Sequence, residues 1–158
     1  MIWFVLLICL IVFAVVYLTY EKKYNIISFK GGMDLAELPI ITLYQDSKKY
    51  NFLLDTGSSC CMINESVLNT LKYQKNDKTF NVTGIEGIKV NECQTCDIKL
   101  YYDTKEYDAN FIIKNMNDAF ASIKNDTGVT LHGILGNDFF EKYKYVIDFK
   151  EYIAYCKK

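Results

Sequence analysis

The run from Ile2 to Tyr20 carries no charged residue and almost no polar group, and it limits the chain more than any other feature. About 19 residues of α-helix rise about 28 Å, close to the hydrocarbon thickness of a bilayer. A helix buried in a globular core shows polar positions on its outer face; this stretch shows none. It is read as a single-pass membrane span, with the lipid bilayer as its partner through residues 2–20. No Lys or Arg precedes it and no small-x-small site follows it, so a retained anchor is expected rather than a cleaved leader. Tyr17 and Tyr20 suit the interface, where an aromatic ring is half wet. Lys22 and Lys23 come next, and the positive-inside bias puts the rest of the chain on the cytoplasmic side. The expected division is residues 1–23 as anchor and flank, and residues 24–158 as one domain.

That remainder is long enough for one hydrophobic core and too short for two. Half of the chain is apolar, with 13 Tyr and 10 Phe, which excludes a disordered chain. The net charge is -1 and every basic side chain is Lys, so neither a basic face nor bidentate Arg recognition is available; no nucleic-acid partner is expected. Cys9 lies in the apolar run. Cys60, Cys61, Cys93, Cys96 and Cys156 form an odd set with no tidy disulfide pairing, as fits reduced thiols in a cytosolic domain.

Residues 24–34 read as a short strand and a turn punctuated by Gly31-Gly32. Leu38 to Tyr44 and Tyr50 to Leu54 are rich in β-branched and aromatic residues and form an expected hairpin around Gln45–Lys49. Glu65 to Lys72 suits a short helix or turn. Residues 78–114 read as strands broken by turns, including a hairpin of 97–102 with 108–113. Residues 115–128 read as polar and irregular. Leu131 to Gly136 is a short apolar strand, and 138–143 a short helix with Asn137 or Asp138 near its N-cap. Two strands, 145–149 and 152–155, close the chain. The sum is one mostly-β domain behind an anchor.

Within it, Phe52-Leu53-Leu54-Asp55-Thr56-Gly57-Ser58-Ser59 places an acid at the end of an apolar strand, with Gly two residues later. An Asp in a tight turn, its oxygens bonded to nearby backbone N–H groups, is the simplest account of such a segment. A second segment argues for more. Gly133-Ile134-Leu135-Gly136-Asn137-Asp138-Phe139-Phe140 follows about eighty residues later and leads to Ile147-Asp148-Phe149.

The two segments, in this order, resemble the retroviral-like (retropepsin-type) aspartic proteases. Leu53-Leu54-Asp55-Thr56-Gly57-Ser58 matches that family's catalytic loop, and Ile134-Leu135-Gly136 matches the apolar pair and glycine that cross beside it. The resemblance runs over residues 24–158. It implies an all-β fold, a small closed barrel-like domain with a flap hairpin and one short helix. By the same resemblance Asp55 is the catalytic aspartate, and Thr56, Gly57 and Ser58 support its loop. Thr56 hydrogen-bonds across a dimer, and Ser58 is in reach of the outer oxygen of Asp55. Gly84, Ile85, Glu86 and Gly87 form the flap tip within Val82–Val90.

The chemistry needs two carboxylates around one water, and like charges that close cannot both ionise. Asp-Thr-Gly occurs at 55–57 and again at 126–128, but only Asp55 ends an apolar strand, so a homodimer sharing one site is expected, a membrane-anchored endopeptidase without cofactor or metal. Its substrate is an extended peptide gripped by main-chain hydrogen bonds. The rival from another class is a silent β domain of the same fold that binds peptides or self-associates. Cys93-x-x-Cys96 is a weak metal or redox motif, with no His beside it and no βαβ pattern around it. His132, the one His, is read as structural, since a Ser-His-Asp arrangement with Ser58 or Ser59 lacks a nucleophile elbow. Sequons at Asn64, Asn81 and Asn125 matter only in a glycosylating compartment.

Overall fold

The computed structural model describes the backbone of residues 2–83 and 89–157, and the side chains of residues 3–17, 24–76, 79 and 93–157. In chain order the elements are α1 (Ile2–Lys23), β1 (Tyr24–Ser28), α2 (Lys30–Ala36), β2 (Ile40–Gln45), β3 (Lys48–Leu54) and β4 (Cys61–Asn64). A 3-10 turn (Glu65–Thr70), β5 (Gln74–Thr83), β6 (Lys89–Tyr102), β7 (Lys105–Lys114) and α3 (Asn117–Thr127) come next. The chain ends with β8 (Gly133–Leu135), α4 (Asn137–Tyr143), β9 (Val146–Asp148) and β10 (Ile153–Lys157).

The hairpin expected from the sequence is β2 with β3, in register from Ile40↔Leu53 to Gln45↔Lys48. Its turn residues, Asp46 and Ser47, have φ of 49° and 65°. Two left-handed residues in a row match the right-handed twist of the flanking strands, and Asp and Ser tolerate that conformation better than bulky residues. From this hairpin the sheet runs β2-β3-β8-β4-β7-β6, and a pairing of Tyr44 with Tyr101 joins β6 back to β2. The six strands therefore close into a barrel, which leaves no free edge around the ring. β5 pairs with β6 outside that ring.

The strand pattern fills the barrel. Tyr50, Phe52 and Leu54 alternate inward along β3, and Tyr107, Ala109 and Phe111 along β7. They meet Leu43, Ile63, Ile98, Leu100 and Leu135 in one buried cluster, with the Phe52 and Phe111 rings 5.7 Å apart. Each large side chain taken out of water in this way contributes about 1.5–3 kcal/mol. Outside the ring, β1, β10 and β9 form a second sheet that begins at Tyr24↔Lys157, so the two ends of the domain are tied together.

Helices depart most from expectation. One short helix is expected, whereas the described part of the domain holds three, α2, α3 and α4, besides the 3-10 turn. Gly31-Gly32 lies inside α2 rather than in a turn: Phe29 is fully buried just before it and Met33 packs on the same core, so tertiary contacts override the local preference of the glycines. Residues 117–127 form α3, not an irregular loop. Phe120 is buried against Ile40, Met116 and Leu131, Ile123 packs on the same cluster, and Gly128 ends the helix at φ 76°. α1 is a helix whose described side chains, residues 3–17, are all exposed. Among the described residues no helix is long and apolar enough to cross a membrane.

Candidate active site

Asp55 stands where β3 ends. The Leu54 N–H donates to the Pro39 carbonyl at 2.9 Å, and the Asp55 N–H donates to the Leu135 carbonyl at 3.0 Å. Parallel pairing of Phe52 with Gly133, Leu53 with Ile134 and Leu54 with Leu135 lays the Ile134-Leu135-Gly136 segment along β3. The two sequence segments thus meet side by side. β4 flanks β8 on its other side, with Met62 opposite Ile134. Gly136 then passes so close to the loop that a Cβ there would sit 2.5 Å from the Cys60 carbonyl oxygen and 2.6 Å from its carbon. No other residue fits a backbone approach of that kind.

The loop is held from within and from α4. Asp55 is half-exposed; its Oδ1 accepts the Gly57 N–H at 2.8 Å, and its carbonyl accepts the Ser58 N–H at 3.2 Å. The tight-turn geometry expected of such a segment is therefore present, and it fixes the plane of the carboxylate. Thr56 and Gly57 are exposed, and Ser58 is buried. The Ser58 hydroxyl donates to the Cys60 carbonyl at 2.8 Å, so its proton does not serve Asp55.

Two residues to which the sequence assigns no role at the site contact this loop at three of its positions and at the first residue of β4. The Asn137 N–H donates to the Ser58 carbonyl at 2.9 Å and the Asp138 N–H to the Ser59 carbonyl at 3.3 Å. Asn137 Nδ2 donates to the Thr56 carbonyl at 3.1 Å. The Asp138 carboxylate accepts the Cys61 N–H and the Cys61 thiol, each at 3.1 Å, and the Phe139 N–H at 2.7 Å. Burial first, then this bond to Asp138, pushes the Cys61 thiol well above the ordinary thiol range, so it stays protonated and donates. The sequence signal was the Gly-Asn-Asp at the start of the helix. Asn137 and Asp138 lie near the helix N-cap, as expected; the N-cap itself is Gly136, with no side-chain cap bond.

Gly84, Ile85, Glu86 and Gly87, the expected flap tip, lie outside the described residues. The arms leading to them are paired as far as Val82↔Val90 and Thr83↔Lys89. His132 lies in the scaffold: its Nδ1 accepts the Asn51 N–H at 2.9 Å, and its own N–H returns to the Asn51 carbonyl at 2.9 Å. Burial lowers its pKa, which favours the neutral ring that this bond requires. Cys93 and Cys96 stand three residues apart on β6, so their side chains leave opposite faces of the sheet and do not meet in one metal or redox site. Burial of Cys96 pushes its thiol up to about 12. Asn64 is buried, its amide donating to Asn117 Oδ1 at 2.9 Å and accepting the Met116 N–H at 3.0 Å.

Residues 41–139 match a family model described as aspartyl protease, a span that holds both the Asp55 loop and the start of α4. No curated protein matches the chain. Among solved structures, EIAV protease complexed with an inhibitor is 18% identical, with 69% of this chain and 90% of that chain covered and a TM-score of 0.47. A retropepsin-like aspartic protease from Rickettsia conorii is also 18% identical, with 85% and 89% covered and a TM-score of 0.44. With more than half of its length matched, including the loop that carries Asp55, the chain belongs to the aspartyl protease family, hydrolases of the aspartic endopeptidase type.

Proposed function

We infer that two copies of this chain pair so that their Asp55 carboxylates share one water, and that the pair cleaves extended peptides near a membrane. In the reaction one carboxylate takes a proton from the water while the other donates its proton to the scissile carbonyl oxygen. The oxygen of the water joins the carbonyl carbon. Collapse of that intermediate breaks the C–N bond, and the amine leaves with a proton. No side chain is acylated, and the two carboxylates titrate as a pair.

The observation that carries this reading is the Asp55-Thr56-Gly57 loop at the end of β3, with Thr56 and Gly57 exposed, inside the stretch matched to the family; the second Asp-Thr-Gly, Asp126-Thr127-Gly128, instead closes α3, with Gly128 as its C-cap. One chain supplies one such carboxylate, and closed two-fold symmetry supplies the second. For the anchor, support comes from the uncharged run Ile2 to Tyr20 and from the described side chains of α1, Trp3 to Tyr17, which are all exposed. Apolar surface of that extent calls for a partner such as lipid. For the cytoplasmic side, support comes from Lys22 and Lys23, which follow the apolar run.

The test is cleavage of a peptide library by the full chain in detergent micelles, scanned from about pH 4 to pH 7, with Asp55→Asn alongside. Cleavage that vanishes in the variant supports the reading. A folded, dimeric chain that cleaves nothing contradicts it and favours a silent peptide-binding domain.

A further inference from the structure

We propose that Asn137 is a positioning residue of the peptidase, acting on the Asp55 carboxylate through the single peptide unit that joins Thr56 to Gly57. The inference rests on the reading of Asp55 as the catalytic aspartate. The Thr56 carbonyl and the Gly57 N–H are the two ends of one planar, rigid group. Asn137 Nδ2 donates to the carbonyl end at 3.1 Å. The N–H end donates to Asp55 Oδ1 at 2.8 Å. Hydrogen bonds in series polarise one another, so the bond at the carbonyl strengthens the one at the carboxylate and fixes its direction.

The mounting of Asn137 suits this work. Its N–H is tied to the Ser58 carbonyl at 2.9 Å. The neighbouring Asp138 is tied to the Cys61 N–H and thiol at 3.1 Å, where the loop enters β4. The side chain therefore reaches the first half of the loop from a base fixed to its second half. Tolerance is small on the carboxylate side as well, since even a Cβ at Gly57 would lie 3.1 Å from Asp55 Oδ1. Yet Asn137 is half-exposed and its amide bond to Thr56 lies at the surface. A bond of that kind adds little to folding, so its loss should register in the orientation of the loop.

The test compares Asn137→Ala and Asn137→Asp with the parent, each as the full chain in detergent micelles. The aspartate is nearly isosteric and turns a donor into an acceptor facing the Thr56 carbonyl. Loss of one ordinary hydrogen bond corresponds to about a fivefold to tenfold fall in kcat. The expected pattern is that fall for Asn137→Ala, at least as large a fall for Asn137→Asp, a KM unchanged within about twofold, and an unchanged thermal midpoint. Amide exchange at Gly57, read by NMR, should quicken in both variants. That second readout needs no turnover. A parent without Asp55-dependent cleavage would sink the peptidase reading, while faster Gly57 exchange in the variants would still uphold the link through the peptide. Parent-like kcat and parent-like Gly57 exchange in Asn137→Ala overturn the proposal. So does a kcat that falls only in step with the thermal midpoint, because that is what a purely structural role predicts.

Discussion

Replacing Gly136 by Ala tests how the barrel positions the Asp55 loop. The added methyl would lie 2.5 Å from the Cys60 carbonyl oxygen, 2.6 Å from its carbon and 2.9 Å from its nitrogen. All three are backbone atoms, so no rotamer change relieves the contact. Gly136 has φ of -94° and ψ of -170°, an extended conformation open to Ala, so the cost is steric rather than conformational. Carbon and oxygen in ordinary contact need roughly 1 Å more than this, and either the Cys60 peptide or the start of α4 must supply it. Overpacking of this kind costs about 1–3 kcal/mol. Both candidate movers carry the site: Cys60 belongs to the Asp55 loop, and the start of α4 holds Thr56, Ser58 and Ser59 by hydrogen bonds. A displacement of about 1 Å at a reacting group lowers turnover by about a hundredfold. Urea unfolding of Gly136→Ala should show the loss of stability, and peptide cleavage per folded molecule should fall further than that loss explains. A variant with parental midpoint and parental kcat would refute the reasoning, since the loop would then not rest on Gly136.

Two further outcomes are expected of the scaffold. The pKa of His132 is lowered by burial below its unfolded value of about 6.5, so protons favour the unfolded chain. Its contribution to stability is complete above that value and is lost as pH falls below it; His132→Asn, which keeps an acceptor for the Asn51 N–H without titrating, should flatten the decline of the urea midpoint between about pH 7 and pH 5. Phe120→Ala removes the one fully apolar buried side chain of α3 and should cost about 3–5 kcal/mol in urea unfolding, with KM for peptides unchanged.

The parts of the fold that the sequence reveals are those with strong local physics. The β2–β3 hairpin announces itself through β-branched strands around polar turn residues, and the Asp55 loop through an acid and a glycine at the end of an apolar strand. Ile134, Leu135 and Gly136 are legible as a short buried strand, and their place beside Asp55 comes from the resemblance. The remaining elements are settled by distant contacts. α3 has one buried side chain in 11 residues, so its polar surface reads as a loop. β4 is only four residues long and is fixed by pairing with β7 and β8. The contact of Asn137 with Thr56 spans 81 residues of sequence, and no local pattern encodes it.

The central claim is that each active site needs Asp55 from two chains. It is tested most directly by mixing parent and Asp55→Asn chains in shared micelles at several ratios, allowing subunit exchange, and measuring peptide cleavage. A shared site predicts activity that falls as the square of the parent fraction, since only pairs with two aspartates turn over. Activity falling in direct proportion to that fraction would mean that one chain holds a complete site, and would contradict the account.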